Sequence, residues 1–389
     1  MKREILAIAS FASMLSTAQA QSSVTLYGTV DTGIAYFGNQ QGTPRSGGTF
    51  QMSPGNLSAN RWGLKGSEDL GGGLSAIFKL ESGFNVDNGR LGQGGRMFGR
   101  TAIVGLSDTR LGTVTLGRQY DPLIDLIQPL TNDGAFAEVF ATPGDMDNYD
   151  NSFRTNNAVK YASPDYSGLR WSALYAFGGQ PGGVGNGQTY AVAAAYNHGP
   201  FGLGAGYFHA NSNGTSGTFG GLNPDATSYA IDSVAINGAF VSANSIQIIR
   251  AAADYVFSHF TVGASYSNVQ YNNYATAFGN QNSTKFNTGQ VFLNYQITKA
   301  AIVGVGYNYT KGSGNGVTVS YNQFSFGADY FLSKRTDIYA VAGYQKASGN
   351  TISATTGQVV SAVASMGDFG IDASTNKQAM AVIGIRHTF

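Results

Sequence analysis

Residues 381–389 read "AVIGIRHTF". The odd positions are Ala381, Ile383, Ile385, His387 and Phe389; the even ones are Val382, Gly384, Arg386 and Thr388. The first set is mostly apolar, and the second carries a guanidinium and a hydroxyl. A period of two belongs to a β-strand, so this segment has one apolar and one polar face. Both edges of such a strand carry N–H and C=O groups that need partners. The strand expected at 377–389 finds them in the strand before it, at 334–347, and in the first strand, at 23–38. That pairing closes the sheet into a barrel.

The alternation recurs along the chain. In "SVTLYGTVDTGI", Val24, Leu26, Gly28 and Val30 oppose Thr25, Tyr27, Thr29 and Asp31. In "GLRWSALYAF", Trp171, Ala173, Tyr175 and Phe177 oppose Arg170 and Ser172. "NQFSFGADYFL" sets Phe324, Phe326, Ala328 and Tyr330 against Gln323, Ser325 and Asp329. Each stretch has about the 9–11 residues that a tilted strand needs to cross a bilayer. Seven short connections fall near Ser67–Gly73, Ser107–Gly112, Ser163–Gly168, Asn197–Phe201, Ser258–His259, Thr298–Ala300 and Ser333–Thr336. They alternate with eight mostly longer ones rich in Gly, Asn and Ser, at 39–58, 84–96, 119–153, 178–188, 210–246, 271–285, 311–319 and 347–376. Fifteen connections join sixteen strands. Short periplasmic turns opposite long external loops are the pattern of an outer-membrane barrel. The expected fold is therefore all-β: a 16-stranded antiparallel transmembrane β-barrel. Aromatic residues gathered at the short-turn ends, such as Tyr161, Tyr196, Phe257 and Tyr330, fit an interfacial girdle.

Composition agrees. Charged residues are 12% of the chain, against about a quarter in a typical soluble domain. There are 54 glycines, 22 tyrosines and 24 phenylalanines, but only two tryptophans. There is no cysteine, so an exported chain of this length takes nothing from disulfides. Residues 1–20 read as a secretory leader: Lys2 and Arg3, the apolar run "ILAIASFASML", then "AQA" at the cleavage point. The barrel is expected to occupy 21–389, and it begins directly after the leader. Removing Lys2, Arg3 and Glu4 takes the formal net charge from +1 to zero, so no nucleic-acid or other polyanion partner is implied. The four histidines, His198, His209, His259 and His387, form no nucleophile motif and no metal-ligand spacing. The sequence thus calls for no catalytic residue, no cofactor and no metal. Loops 210–246 and 347–376 are long enough to bind a partner, which keeps an adhesin or a ligand-specific channel as the rival to a diffusion channel.

The chain resembles the general trimeric porins of Gram-negative outer membranes, in particular their β-proteobacterial branch. The resemblance runs through the mature chain and is carried by "SSVTLYGTVDTGI" at 22–34, "NRWGLKGSEDLGGGLSAIFKLESGF" at 60–84, "GRTAIVGLSDTRLGTVTLGRQYDP" at 99–122 and the terminal "GIRHTF". It implies a third loop folded into the lumen, a homotrimer, contact with outer-membrane lipid and lipopolysaccharide, and passage of small hydrophilic solutes and inorganic ions.

Placing each apolar face in lipid turns Arg61, Lys65, Lys79, Arg100, Arg154, Lys160, Arg170, Arg250 and Arg386 inward, with the acids Asp31, Glu81, Asp254 and Asp329. Arg118, at a strand end, is left open. The 119–153 connection carries Asp121, Asp125, Asp133, Glu138, Asp145, Asp147 and Asp150. A connection that long inside a compact domain calls for a function. In the resemblance it constricts the pore, and the motifs place Arg61, Arg100 and Arg154 at the constriction. Lys79 is expected beside them, with Glu81 and Asp121 as the acids they face. The loop lacks the "PEFGG" turn of the enterobacterial branch, so the motif does not identify the facing acid. Clustered guanidiniums in a narrow, low-dielectric passage raise the local anion concentration, which gives a modest anion preference.

Overall fold

The computed structural model describes residues 23–42, 45–212, 235–276 and 279–389, so the expected leader lies outside the described residues. Eighteen strands are seen among them. In chain order they are β1 (Ser23–Gln40), β2 (Gly47–Pro54), β3 (Arg61–Gly71), β4 (Leu74–Gly83), β5 (Thr101–Asp108), β6 (Gly112–Gln119), β7 (Thr155–Ala162), β8 (Leu169–Ala176) and β9 (Thr189–His198). There follow β10 (Phe201–Asn211), β11 (Ser245–Phe257), β12 (Phe260–Thr276), β13 (Gly279–Thr298), β14 (Ala301–Gly314), β15 (Val317–Phe331), β16 (Thr336–Ile352), β17 (Val359–Ser361) and β18 (Lys377–Thr388).

All pair antiparallel in one closed sheet. β2 and β3 lie end to end against β1: β3 pairs with Ser23–Thr29, and β2 with the stretch from Thr32 to Gln40. They fill one position in the wall. β17 is a flap on the upper end of β16, pairing at Asn350–Ile352. The wall therefore has sixteen positions. β18 pairs with β16 on one side and with β1 on the other, from Thr29↔Thr388 to Phe37↔Met380. This is the closure expected from the sequence. Gly28 and Phe389 complete it by exchanging two backbone hydrogen bonds of 3.1 and 3.0 Å.

Three stretches expected as loops are largely strand. Residues 47–54, within 39–58, form β2. Most of 271–285 belongs to β12 and β13, and 311–319 shrinks to a two-residue turn at Asn315 and Gly316, with Gly316 left-handed at φ 77°. The reason is chemical. Beyond the apolar band the ladder continues, but its side chains pair through polar groups, as in Asn268 to Asn287 at 2.8 Å and Tyr307 to Asn322 at 2.7 Å. A reading keyed to apolar alternation stops where the outward face turns polar.

The inner and outer faces alternate as the sequence requires. On β18 the outward Ile383 is 72% exposed and the inward Val382 is 1% exposed. The inner face is small on one side and polar on the other. Ala191, Ala193 and Ala195 of β9 are buried, and β10 offers Gly204 and Gly206. A Cβ on Gly206 would lie 2.8 Å from Leu123, and one on Gly304 would lie 2.5 Å from Phe136, so part of the glycine excess makes room for the 119–153 segment.

Gly28 is small for a different reason. An added Cβ would strike the Phe389 ring and sit 2.6 Å from the Arg61 carbonyl oxygen. Gly28→Val should therefore displace Phe389 and open the seam between β1 and β18, at about 1–3 kcal/mol for an overpacked site. The check is the yield of refolded barrel and the temperature at which the compact electrophoretic form is lost; both should fall.

Candidate functional site

The 119–153 segment enters the barrel from β6 and lines the inner wall before rejoining β7. Helix α1 (Pro122–Leu126) begins at Asp121, whose carboxylate accepts the Leu123 N–H at 2.8 Å, with Pro122 in the first turn. This is a favourable start for a helix. Leu123, Leu126, Ile127 and Leu130 join the buried cluster that includes Ala191, Ala193 and Phe208. After α2 (Asp133–Phe136), Phe136, Val139 and Phe140 pack with Phe37, Val341 and Met380.

Wall donors hold the segment's carbonyls. Gln323 donates to the Val139 and Ala141 oxygens, both at 3.0 Å, and Gln290 donates to the Phe140 oxygen at 3.1 Å. Arg250 donates to the Asp147 carbonyl and stacks on Tyr149 at 4.5 Å from the ring centre. A second connection joins this side: Asn237, in helix α3 (Ala235–Gly238), donates to the Gly144 oxygen at 2.6 Å.

The opposite side stays open. A cavity of about 470 Å³ is lined by Arg61, Arg100 and Arg154 together with Asp133, Glu138, Asp150 and Asp368. The guanidiniums are positioned individually. Arg61 donates to Ser58 Oγ and the Ala59 oxygen, each at 3.1 Å. Arg100 bonds Glu81 at 3.0 Å and donates to the Tyr120 hydroxyl at 2.7 Å. Arg154 donates to the same hydroxyl at 2.6 Å and stacks on that ring at 4.7 Å. Glu81 also accepts from Tyr27 at 2.8 Å and pairs with Lys79 at 3.1 Å.

The three expected arginines are thus brought together, with Lys79 and Glu81 beside them. Asp121 is not: its carboxylate is taken up by the helix start and by Asn148 Nδ2 at 3.3 Å. Aspartate before proline at a helix N-terminus is a capping signature, and capping used the group expected to face the arginines. Three other inward bases are also engaged elsewhere. Arg250 anchors the loop, Lys160 pairs with Asp125 at 2.6 Å, and Arg386 bridges Asp329 and Asp337 at 3.2 and 3.1 Å. Two site residues escaped the sequence reading. Tyr120 was visible only as an aromatic following a strand, and Asp368 sits in the distant 347–376 connection.

The acids across the cavity are unusual. Burial and the nearby Asp147 push Asp133 up to about 7, and burial pushes Asp368 up to about 6. Burial and the neighbouring Asp368 also hold Glu138 and Asp145 well above the ordinary carboxylate range. Hydrogen-bond counting agrees. Ser152 Oγ contacts Asp145 and also lies 2.8 Å from Asp368. One hydroxyl has one proton to give, so a proton on one of these late-ionising carboxyls would complete the second bond. Ser152 thus clasps the 119–153 connection to the 347–376 connection.

Converting Glu81→Gln should leave Arg100 without its carboxylate while Tyr120 still holds it. The expected loss is about 2 kcal/mol, the scale of a charge-assisted hydrogen bond. It would be read as a lower thermal midpoint in detergent, with the barrel otherwise intact.

Comparison with known proteins agrees with this geometry. The profile of the Gram-negative porin family matches residues 6–350. An outer membrane porin protein of Bordetella pertussis is 39% identical over 188 residues, covering 46% of this chain and 48% of that protein. Outer membrane porin protein 32 of Delftia acidovorans is 37% identical over 186 residues, 46% of this chain and 50% of the relative. The chain thus spans about half the length of the relatives it matches. Among solved structures, an anion-selective porin from Comamonas acidovorans superposes with a TM-score of 0.69 at 23% identity, covering 95% of this chain and all of that one. A trimer form of OmpT from Vibrio cholerae gives 0.64 at 15% identity over 95% of this chain and 99% of that one. At these identities the structural likeness concerns the fold.

Proposed function

We propose that this chain, which belongs to the Gram-negative porin family, is an outer-membrane channel for passive diffusion of small hydrophilic solutes and ions, with a modest anion preference. Porins are channels rather than enzymes. The observation that carries the reading is the cavity itself. Arg61, Arg100 and Arg154 line it together with buried acids that ionise late: Glu138 and Asp150 are held well above the ordinary carboxylate range, Asp133 is raised to about 7 and Asp368 to about 6. Guanidinium stays charged at any relevant pH. A proton-retaining carboxyl offers hydrogen bonds but little negative charge. The constriction therefore carries a net positive potential although the chain as a whole is near neutral.

Within this reading, residues 1–20 are the leader removed on export and 119–153 is the constricting loop. Arg61, Arg100 and Arg154 set the sign of the selectivity. Lys79 and Glu81 neutralise each other while Glu81 holds Arg100, and Asp121 shapes the loop instead of facing the pore. The assembly is a homotrimer, an arrangement supported by the trimer form of the OmpT structure, with lipid and lipopolysaccharide around it.

The test is the reversal potential across a tenfold KCl gradient for wild type and for Arg61→Gln/Arg100→Gln/Arg154→Gln. Wild type should prefer chloride and the triple variant should lose that preference. The difference should be large near 0.01 M salt, where the Debye length is about 30 Å, and fade at 1 M, where it is about 3 Å. A potassium preference in wild type, or a chloride preference unchanged in the variant, overturns the assignment.

A further inference from the structure

The outer wall has a recess near the short-turn end. Val303, Ala328, Ala340 and Ile383 form one register row across β14, β15, β16 and β18. The two alanines leave a hollow, edged by Ile297 and Ile338, of about 360 Å³. All six of these side chains lie on the outward-facing parity of their strands, the face that meets hydrocarbon in a barrel of this kind.

The turns that close the lower end of this recess carry Lys299, between β13 and β14, and Lys334 and Arg335, between β15 and β16. All three are exposed, and none has an ion-pair partner among the described residues. Elsewhere on the same rim the strand ends and turns from β3 to β8 carry mostly acids, Glu68, Asp69, Asp108 and Asp165, with Arg110 beside Asp108 at 3.8 Å and Arg170 exposed at the start of β8. Beside the apolar hollow, by contrast, three exposed bases stand together with no acid paired to them among the described residues.

We propose that this corner is a binding site for one anionic diacyl glycerophospholipid of the periplasm-facing leaflet. One acyl chain lies in the hollow over Ala328 and Ala340, and the phosphate meets Lys299, Lys334 and Arg335. A concave apolar slot gives a chain more contacts than a smooth wall does, since each contact is small and their number decides. Basic side chains at a membrane surface favour anionic headgroups, each by about fivefold in affinity, and long lysine stems reach the headgroup level while their methylenes stay in the apolar layer.

The test is native mass spectrometry of the refolded mature protein in an uncharged detergent, titrated with phosphatidylglycerol or with phosphatidylcholine of the same acyl chains. Wild type should take up the first phosphatidylglycerol at least about tenfold more tightly than phosphatidylcholine. Lys299→Gln/Lys334→Gln/Arg335→Gln, changed only in exposed turns, should bind both lipids alike. Ala340→Phe, which fills the hollow, should weaken both lipids while keeping their order. Equal binding of the two lipids by wild type, or a preference that survives the triple change, overturns the headgroup assignment. Unchanged binding by a folded Ala340→Phe overturns the chain assignment, and a dimer seen at this face by Ala328→Cys cross-linking overturns both.

Discussion

The interior of this barrel depends on the way Arg250 and its neighbours hold the 119–153 segment against one wall. A segment placed inside a barrel brings carbonyls that need donors and apolar side chains that need cover. The wall supplies the first through Arg250, Gln290 and Gln323. It supplies the second through alanines and glycines, whose lack of bulk admits Leu123 and Phe136. With that side filled, the cavity that stays open lies beside Arg61 of β3 and beside Arg100, just before β5. An inward guanidinium therefore has two fates. Arg250 is consumed in anchoring, whereas Arg61 keeps its place on the open side.

The same placement creates the electrical asymmetry. Arg100 and Arg154 share the Tyr120 hydroxyl, so two like charges are held near each other by one neutral acceptor and by Glu81. The carboxyls across the cavity crowd together on buried loop backbone. Crowding and burial both disfavour the ionised form, and Ser152 ties two distant connections together through Asp145 and Asp368. Fixed cations thus face titrating acids.

The barrel was legible because a membrane enforces it. Backbone groups in hydrocarbon must be satisfied within the sheet, and alternation must then separate lipid from lumen. That logic placed Ile383 outward, Arg386 inward and the pairing of 377–389 with 23–38. It failed where the membrane no longer acts: β12 and β13 continue upward on Asn, Thr and Tyr pairs, and β2 extends the wall position of β3 across an interruption at 55–60. The arginine lining of the cavity was partly legible. The motifs placed Arg61, Arg100 and Arg154 together, and in the structure each stands at or next to the first residue of a strand, β3, β5 or β7. The facing acids were not legible, because loop packing decides them. Asp121 was diverted to a helix start, and Asp368 arrives from 216 residues beyond Ser152.

Under the proposed function, selectivity is the difference between permanently charged arginines and acids that ionise late. The direct measurement is the reversal potential of the wild-type channel in a KCl gradient at low salt, followed from pH 5 to pH 8. Asp368, raised to about 6, and Asp133, raised to about 7, should be neutral at the acid end and ionise across that range. Chloride preference should be strongest near pH 5 and decline through pH 6 to 8. A preference that stays flat, or that grows as the pH rises, would contradict it.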